Sequence, residues 1–217
     1  MKNQLFKRKE HLILRYIDIK YKIDKIIALL GLIVLSPLMI IIGIAIKLDS
    51  PGPIIYRQKR LGQNGKIFYM YKFRSMYEGA EKNGVYDRKK DPRVTSVGKV
   101  IRRTSLDELP QLINVLKGDM SLIGPRPPLV YHPWPYEKYT DEQKKMFLIK
   151  PGITGWAQVN GRKNLEWDKR IKMNIEYIEK MSLLLDLKIL LLTVIKVIKM
   201  EENVNRKKTV NINKQIK

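Results

Sequence analysis

Two adjacent carboxylates, Asp107 and Glu108, stand in the part of the sequence best suited to chemistry. They follow the basic pair Arg102-Arg103 and precede an apolar stretch with helical spacing. Acidic side chains at a helix start, beside arginines, have lowered pKa values and gather phosphate and divalent metal in one place. These two residues are therefore the first candidates for a catalytic site.

The same residues also fit a purely structural interpretation. Ser105 and Glu108 have the spacing of a capping box, in which Ser105 would begin a helix. Pro110 would then be the fifth residue of that helix, where its missing N–H removes a hydrogen bond. The alternative start, nearer Asp107, keeps Pro110 in the first turn. Spacing alone leaves capping and catalysis both open.

Three further segments place basic residues among conformationally restricted ones. Lys72 and Arg74 end a predicted strand, Arg126 lies between two prolines, and Arg162 ends a glycine-rich segment. Each segment alone is also typical of a turn with a solvated charge. Because a membrane segment precedes them, they together predict a pyrophosphate site at the bilayer surface.

Composition narrows the classes of protein that fit. The 217 residues carry 43 Lys and Arg against 21 Asp and Glu, a formal charge of +22. This charge predicts a polyanionic partner: nucleic acid, anionic lipid or a phosphorylated substrate. The absence of Cys excludes disulfides, a thiolate nucleophile and Cys-ligated zinc. Two histidines, His11 and His132, argue against a histidine metal cage.

An uncharged segment at residues 26–46 predicts association with a membrane, because it is long enough to span the ~30 Å hydrocarbon core. Ser36-Pro37 lies in its middle, where proline kinks or breaks a helix. Both flanks are basic, whereas a simple span has its basic excess on one side. A re-entrant helix–break–helix with arms of about 15 Å explains both features. A single kinked transmembrane helix is the alternative.

The C-terminal part is predicted to form a second apolar helix. Residues 183–200 are mostly Leu, Ile and Val, and Lys188, Lys196 and Lys199 fall on one side at helical spacing. Such a cationic stripe suits a helix in the headgroup layer, and a core helix with solvated lysines fits equally. The polar and basic residues 201–217 predict a disordered tail.

Between these ends the pattern predicts an α+β domain, mostly helical with a small β-hairpin. Two strands, at 54–61 and 66–76, flank Asn64-Gly65, a strong hairpin signal. Helical spacing is found at 97–103, 109–116, 141–147 and 166–180. The glycine-containing segments 118–128 and 151–162 are predicted to be loops.

Four blocks of the sequence together resemble the bacterial sugar transferases, the monotopic phosphoglycosyl transferases. The longest block is residues 102–127, RRTSLDELPQLINVLKGDMSLIGPRP. YKFRSM at 71–76, KPGITG at 150–155 and Ser36-Pro37 are the others. The resemblance covers about residues 20–200 in the family's order.

The resemblance implies an enzyme that transfers a sugar 1-phosphate from a UDP-sugar to undecaprenyl phosphate or another polyprenyl phosphate. UMP is released, and assembly of a surface polysaccharide or glycoconjugate begins. Asp107 matches the family's nucleophile, which forms a covalent phosphosugar-aspartate, and Glu108 matches the ligand of Mg²⁺. The expected substrate-binding residues are Lys72, Arg74, Arg126 and Arg162. Asp168, for orienting a cation, and Asp186 are weaker candidates.

The resemblance also implies a monotopic protein on the cytoplasmic face of the cell membrane, with Ser36-Pro37 as the break of a re-entrant hairpin. The expected parts are a basic arm (1–22), the membrane hairpin (23–47), a catalytic domain with amphipathic interfacial helices (48–200) and the basic tail (201–217). The basic surface is expected to bind anionic lipid. Because no further set of membrane helices precedes the motif region, we expect the chain to act alone in the transfer step. No motif specifies the sugar or the oligomeric state.

Two other functions fit parts of the sequence. A nucleic-acid-binding protein fits the net charge. It also fits the segment 69–74, in which the aromatic residues Tyr69, Tyr71 and Phe73 alternate with Met70, Lys72 and Arg74. This function leaves the uncharged segment 26–46 without a role. A non-enzymatic membrane scaffold keeps the anchor but does not account for a carboxylate pair among arginine-rich loops. We therefore expect an enzyme without a nucleic-acid partner.

Overall fold

The computed structural model describes residues 2–80, 91–161 and 165–199, with side chains from residue 13 onward. The predicted tail at 201–217 and most side chains of the predicted basic arm lie outside these residues. The helices are α1 (Lys2–Asp49), α2 (Ser96–Arg103), α3 (Gln111–Lys117), α4 (Asp141–Lys144), α5 (Trp156–Gly161), α6 (Trp167–Lys180) and α7 (Leu183–Ile198). The strands are β1 (Ile55–Leu61), β2 (Ile67–Phe73), β3 (Ser121–Ile123) and β4 (Gly152–Thr154). The prediction of a mostly helical fold with a small hairpin is confirmed.

Helix α1 rests on the domain along most of its length. Ile17, Ala28 and Ile46 pack in three successive hydrophobic clusters, formed with α6 and α7, with α3 and β2, and with α2 and the end of β2. Ile17 and Ile46 are 29 positions apart, which is about 44 Å of helix at 1.5 Å per residue. Both halves of α1 therefore contact the same domain.

The predicted break at Ser36-Pro37 is not confirmed, because α1 is continuous across it. Pro37 has no N–H to offer the carbonyl of Ile33, four residues earlier. The hydroxyl of Ser36 donates a hydrogen bond of 2.8 Å to that carbonyl instead. The serine thus satisfies the backbone group that the proline leaves open, and the helix tolerates the proline.

The solvent-facing sides of α1 from Ile26 to Ile46 and of α7 are largely apolar. Within the described residues, α1 is the one helix long and apolar enough to cross a membrane. Its exposed large side chains include Ile26, Leu30, Ile33, Val34, Ile40, Ile41 and Ile44. On α7 they include Leu183, Leu184, Leu187, Leu191, Val194 and Ile198, so α7 is not the core helix that its pattern also allowed. These apolar surfaces indicate association with a membrane.

Strands β1 and β2 form the predicted antiparallel hairpin, with Leu61 opposite Ile67. The connection is a five-residue loop rather than a two-residue turn, and its Asn64 and Gly65 have φ values of 54° and 74°. Phe68 and Met70 on one face are buried. The next inward position on this face is Lys72, and the strand therefore carries Lys72 towards the interior of the domain.

The prediction that residues 151–162 form a loop is wrong. Residues 152–154 form β4, which pairs in parallel with β3, and α5 follows directly. The glycines allow this pairing, because a Cβ at Gly152 would lie 2.0 Å from the backbone nitrogen of Gly124. At Gly155 it would lie 2.1 Å from the carbonyl oxygen of Gly124. Backbone segments thus cross here at a distance that only glycine permits.

Candidate active site

Asp107 and Glu108 lie in the turn between α2 and α3 rather than at a capped helix start. Ser105 has the left-handed conformation (φ 60°, ψ 13°), and its side chain caps no helix. A 3₁₀ turn at Leu106–Glu108 follows, and α3 begins at Gln111 with Pro110 as its N-cap. The capping interpretation of Ser105 is therefore wrong. The alternative start near Asp107 holds only for the short 3₁₀ turn, since α3 itself begins four residues later. The missing N–H of Pro110 costs nothing at this position.

Two leucines fix the orientation of this turn. Leu106 and Leu109, which flank the carboxylates, pack on the cluster of Ile42, Ile46 and Phe73. The apolar residues of the Leu-Asp-Glu-Leu sequence thus bury one side of the turn against α1 and the hairpin. This packing leaves the carboxylates for polar contacts on the other side.

Glu108 is bound by two cations from different parts of the chain. Its Oε1 accepts hydrogen bonds from Nζ of Lys72 (2.8 Å) and Nη2 of Arg126 (2.7 Å). Nη1 of Arg126 lies 3.4 Å from Oε2. Burial acts to raise the pKa of Glu108, but the charges of Arg126 and Lys72 outweigh it and hold the pKa well below its usual range. Glu108 is therefore ionised at neutral pH.

Asp107 differs from Glu108 in its hydrogen bonding and in the direction of its pKa shift. Its carboxylate takes part in none of the hydrogen bonds among the described side chains, and it is partly exposed. Burial raises its pKa above the ordinary value; Lys72 opposes this effect and Glu108 adds to it. A carboxylate without a hydrogen-bond donor retains its nucleophilicity.

Asn114 holds the backbone of β2 next to Lys72, and sequence reasoning missed this contact. The Asn114 side chain is fully buried in α3, accepts from the N–H of Tyr71 (2.9 Å) and donates to the carbonyl of Tyr69 (2.8 Å). It thereby continues the hydrogen bonding of the free edge of β2, next to Lys72. A polar residue in an otherwise apolar helical stretch was the available signal.

The structure brings together four of the predicted site residues, Lys72, Asp107, Glu108 and Arg126. It places Arg74 elsewhere: the buried Arg74 guanidinium donates to the carbonyls of Ile46, Ser50 and Pro51 at the end of α1. Basic side chains are typical donors to the carbonyls at and just beyond the C-terminal end of a helix. Arg74 thus braces α1 against the hairpin and does not face Glu108.

Three other predicted residues do not join this group in the described structure. Arg162 lies outside the described residues. Asp168 is exposed in the first turn of α6. Asp186 is buried, where it accepts from the hydroxyls of Tyr16 and Tyr177 and pairs with Lys20 at 2.9 Å. Asp186 therefore ties α7 to α1 and α6.

A divalent metal finds few ligands among the described residues. They contain no group of three or more His, Cys, Asp or Glu side chains that could hold a metal. Mg²⁺, however, commonly takes one or two carboxylates and completes its shell with substrate phosphates and water. Asp107 and Glu108 fit this pattern in type and number, although Lys72 and Arg126 occupy Glu108 in the structure.

Comparison with known proteins gives one consistent result. A family model described as bacterial sugar transferase matches residues 15–200. The chain is 44% identical over 182 residues to a UDP-glucose:undecaprenyl-phosphate glucose-1-phosphate transferase of Xanthomonas campestris pv. campestris, covering 81% of this chain and 38% of that protein. It is 43% identical over 183 residues to a UDP-N-acetylgalactosamine-undecaprenyl-phosphate N-acetylgalactosaminephosphotransferase of Aeromonas hydrophila, covering 82% and 43%.

A third relative matches over most of its own length. It is the uncharacterized sugar transferase EpsL of Bacillus subtilis (strain 168), 44% identical over 173 residues, with 79% of this chain and 83% of that protein covered. The chain spans about two fifths of the length of the two relatives with named substrates. The names of those two relatives differ in the sugar.

Proposed function

The chain belongs to the bacterial sugar transferase family, and from this premise we propose that it is a phosphoglycosyl transferase. It moves a sugar 1-phosphate from a UDP-sugar to undecaprenyl phosphate or a related polyprenyl phosphate and releases UMP. The observation that carries this proposal is the pair of unlike carboxylates: Glu108 is bound by two cations, and Asp107 accepts no hydrogen bond from a described side chain. The product would begin the assembly of a surface polysaccharide or glycoconjugate.

Asp107 is the proposed nucleophile of a two-step reaction. A carboxylate oxygen of Asp107 attacks the β-phosphorus of the UDP-sugar, the bond to the bridging oxygen breaks, and UMP leaves with the electron pair. A phosphate oxygen of the lipid then attacks the same phosphorus and releases the carboxylate. The covalent intermediate allows a water-soluble donor and a membrane-bound acceptor to use the same residue in turn.

Lys72 and Arg126 are proposed to bind the diphosphate of the donor. Both cations already converge on one oxygen of Glu108, at 2.8 and 2.7 Å. A diphosphate offers several charged oxygens, and the planar guanidinium of Arg126 suits two of them at once. When the donor binds, we expect both side chains to turn from Glu108 to phosphate.

Glu108 is the residue that we propose to hold Mg²⁺. The ion would neutralise the charge that develops on the departing UMP. For Glu108 to reach it, the carboxylate must exchange Lys72 and Arg126 for the metal. Glu108 therefore keeps the two cations near the nucleophile until the donor arrives.

We propose that the protein is monotopic: it inserts into one leaflet of the membrane, and its candidate active site lies on the cytoplasmic side. The contact of both halves of α1 with the same domain supports this arrangement, because a straight span would draw the domain into the bilayer with the helix. The helix is continuous at Ser36-Pro37 in the structure, so our proposal requires a bend rather than a break there, with the two halves of α1 inclined to each other and both ends on the cytoplasmic side. The exposed leucines of α7 enter the headgroup layer, and its exposed Lys188 and Lys199 bind anionic lipid.

Intact-mass spectrometry tests the proposal directly. The purified protein in detergent is incubated with Mg²⁺ and a panel of UDP-sugars, without lipid acceptor. We expect one phosphosugar adduct with the correct donor and none in Asp107→Asn, which keeps the shape of the side chain. UMP release that needs undecaprenyl phosphate, without an adduct, would keep the enzyme class and favour direct transfer or a short-lived intermediate. Neither adduct nor UMP with any donor would favour the scaffold function.

A further inference from the structure

The loop that carries Arg126 is anchored to β4 on its N-terminal side. Three of its residues, Pro125, Pro127 and Pro128, have no N–H, so the loop must be held largely through its carbonyls. The N–H of Gly152 donates to the carbonyl of Pro125 at 3.0 Å, and the N–H of Gly124 donates to β4 at 2.9 Å. The chain therefore enters Arg126 from a fixed position.

On its C-terminal side the same loop is held by β1. Nη1 of Arg60 donates to the carbonyl of Pro127 at 2.9 Å, and the N–H of Leu61 donates to that of Pro128 at 3.0 Å. Pro127, whose carbonyl Arg60 contacts, directly follows Arg126 in the chain. Arg60 is thus the first side chain to restrain the backbone of Arg126 from this side.

Arg60 is itself held in one orientation. Its Nε and Nη2 both donate to Oε1 of Gln58, at 3.1 and 2.5 Å, while Nη1 remains for Pro127. Only the rigid, branched guanidinium makes these contacts together; a lysine ammonium on a flexible chain does not reproduce them. Gln58 and Arg60 lie on the same face of β1, two residues apart.

Arg60 also adds charge behind Arg126. Burial lowers the pKa of Arg60 to about 9; the neighbouring charge of Arg126 adds to this, and Glu108 opposes it. Arg60 therefore stays protonated at neutral pH and repels Arg126. This repulsion favours the contact of Arg126 with an anion in front of it, first Glu108 and then substrate.

We propose that Arg60, fixed by Gln58, is a positioning residue that sets the Arg126 guanidinium for the diphosphate of the donor. The inference rests on the proposed function for its substrate. Arg60 touches neither reacting atom in this proposal and acts through the backbone at Pro127.

Kinetics of UMP release test this inference in two backgrounds. Arg60→Lys in the otherwise wild-type protein is expected to lower kcat/KM for the UDP-sugar about ten- to a hundredfold, because a misplaced Arg126 loses its contact. In Arg126→Lys, where that contact is already impaired, the same change is expected to cost less than about threefold, since the two act as a unit. An equal loss in both backgrounds, or no loss, would overturn the inference.

Two further variants separate positioning from folding. Gln58→Leu keeps Arg60 but removes the acceptor that orients it. We expect a smaller loss of kcat/KM in the otherwise wild-type protein and almost no further loss in Arg126→Lys. This variant tests the inference even if Arg60→Lys folds poorly. Arg57→Lys changes an arginine on the opposite face of β1, where it lies over the ring of Tyr71. This control should leave kcat/KM unchanged; a loss equal to that of Arg60→Lys would assign the effect to the strand as a whole.

A nitrogen-15 NMR measurement makes the outcome independent of turnover. The Nε–H signal of Arg126 is assigned by its loss in Arg126→Lys. We expect Arg60→Lys and Gln58→Leu to shift and broaden it, and Arg57→Lys to leave it unchanged. A signal that Arg60→Lys does not alter would overturn the inference. If the wild-type protein releases no UMP, the proposed function is overturned, whereas the NMR signal of Arg126 still decides the inference on Arg60.

Discussion

Asp107 and Glu108 are neighbours in one turn, yet their environments move their pKa values in opposite directions. Burial raises the pKa of Asp107, whereas Arg126 and Lys72 overcome burial and lower that of Glu108. Neighbouring carboxylates with pKa values shifted in opposite directions are typical of active sites in which each carboxylate has its own role. The difference can be measured as stability, as pH dependence and as metal affinity.

Stability should respond with opposite sign to the two isosteric amide substitutions. A raised pKa means that the charged form of Asp107 is disfavoured in the folded state, so Asp107→Asn should raise Tm at pH 7 by about 2–4 °C. Glu108→Gln should lower Tm, because Lys72 and Arg126 lose their counter-ion. Thermal unfolding in detergent measures both.

The pH dependence of these shifts follows from the same signs. The stability contributed by Glu108 is present above its unfolded pKa and is lost as pH falls through the depressed folded value. The gain from Asp107→Asn should vanish below the ordinary aspartate pKa, where the wild-type side chain is protonated in both states. A Tm decrease for Asp107→Asn at pH 7 would contradict the raised pKa.

The catalytic rate should have an acid limb set by Asp107, because only the ionised carboxylate attacks phosphorus. UMP release is expected to fall as pH falls through the raised pKa of this residue. Lys72 lowers that pKa, so Lys72→Gln should move the limb to higher pH in addition to reducing the rate. Lys59→Gln, on the outer face of the hairpin over Tyr69, is the matched control and should not move the limb.

Metal binding should depend on the nucleotide. Since Lys72 and Arg126 occupy Glu108, we expect Mn²⁺ alone, followed by electron paramagnetic resonance, to bind the wild-type protein weakly. UDP should strengthen Mn²⁺ binding at least tenfold by drawing both cations to phosphate, and Lys72→Gln should strengthen it without UDP. Equal Mn²⁺ affinity with and without UDP in the wild-type protein would contradict the proposal that Glu108 exchanges Lys72 and Arg126 for the metal.

Much of this arrangement follows from local sequence. Asn64-Gly65 between two strand-like stretches predicted the hairpin, and helical spacing predicted α2, α3, α6 and α7 within a few residues of their bounds. The adjacency of Asp107 and Glu108 is a fact of sequence, and so is the restriction of Arg126 by flanking prolines. These signals are local, and they made Lys72, Asp107, Glu108 and Arg126 candidates, but the resemblance to the family was needed to choose catalysis over capping and solvated turns.

The remaining features depend on distant contacts. β3 and β4 have three residues each and pair across about 30 positions, so the glycines of β4 have the composition of a loop. Arg74 follows Lys72 by two residues and was assigned with it, but the end of α1 captures it. The left-handed Ser105 has no local signal, because φ values above zero are uncommon outside glycine. Leu106 and Leu109, which follow it, pack on a cluster formed by residues distant in sequence.

The apolar helix offers a last prediction, on the pair Ser36 and Pro37. Ser36→Ala should destabilise the protein by about 1 kcal/mol, because the carbonyl of Ile33 loses its hydroxyl donor and the proposed bilayer offers no water to replace it. In Pro37→Ala, the new alanine N–H can bond to Ile33, so the same serine change should cost almost nothing there. Ser36→Thr retains the hydroxyl and serves as the control. Unfolding in mixed detergent would measure the cycle, and an equal cost of Ser36→Ala in both backgrounds would show that the serine does not compensate for the proline.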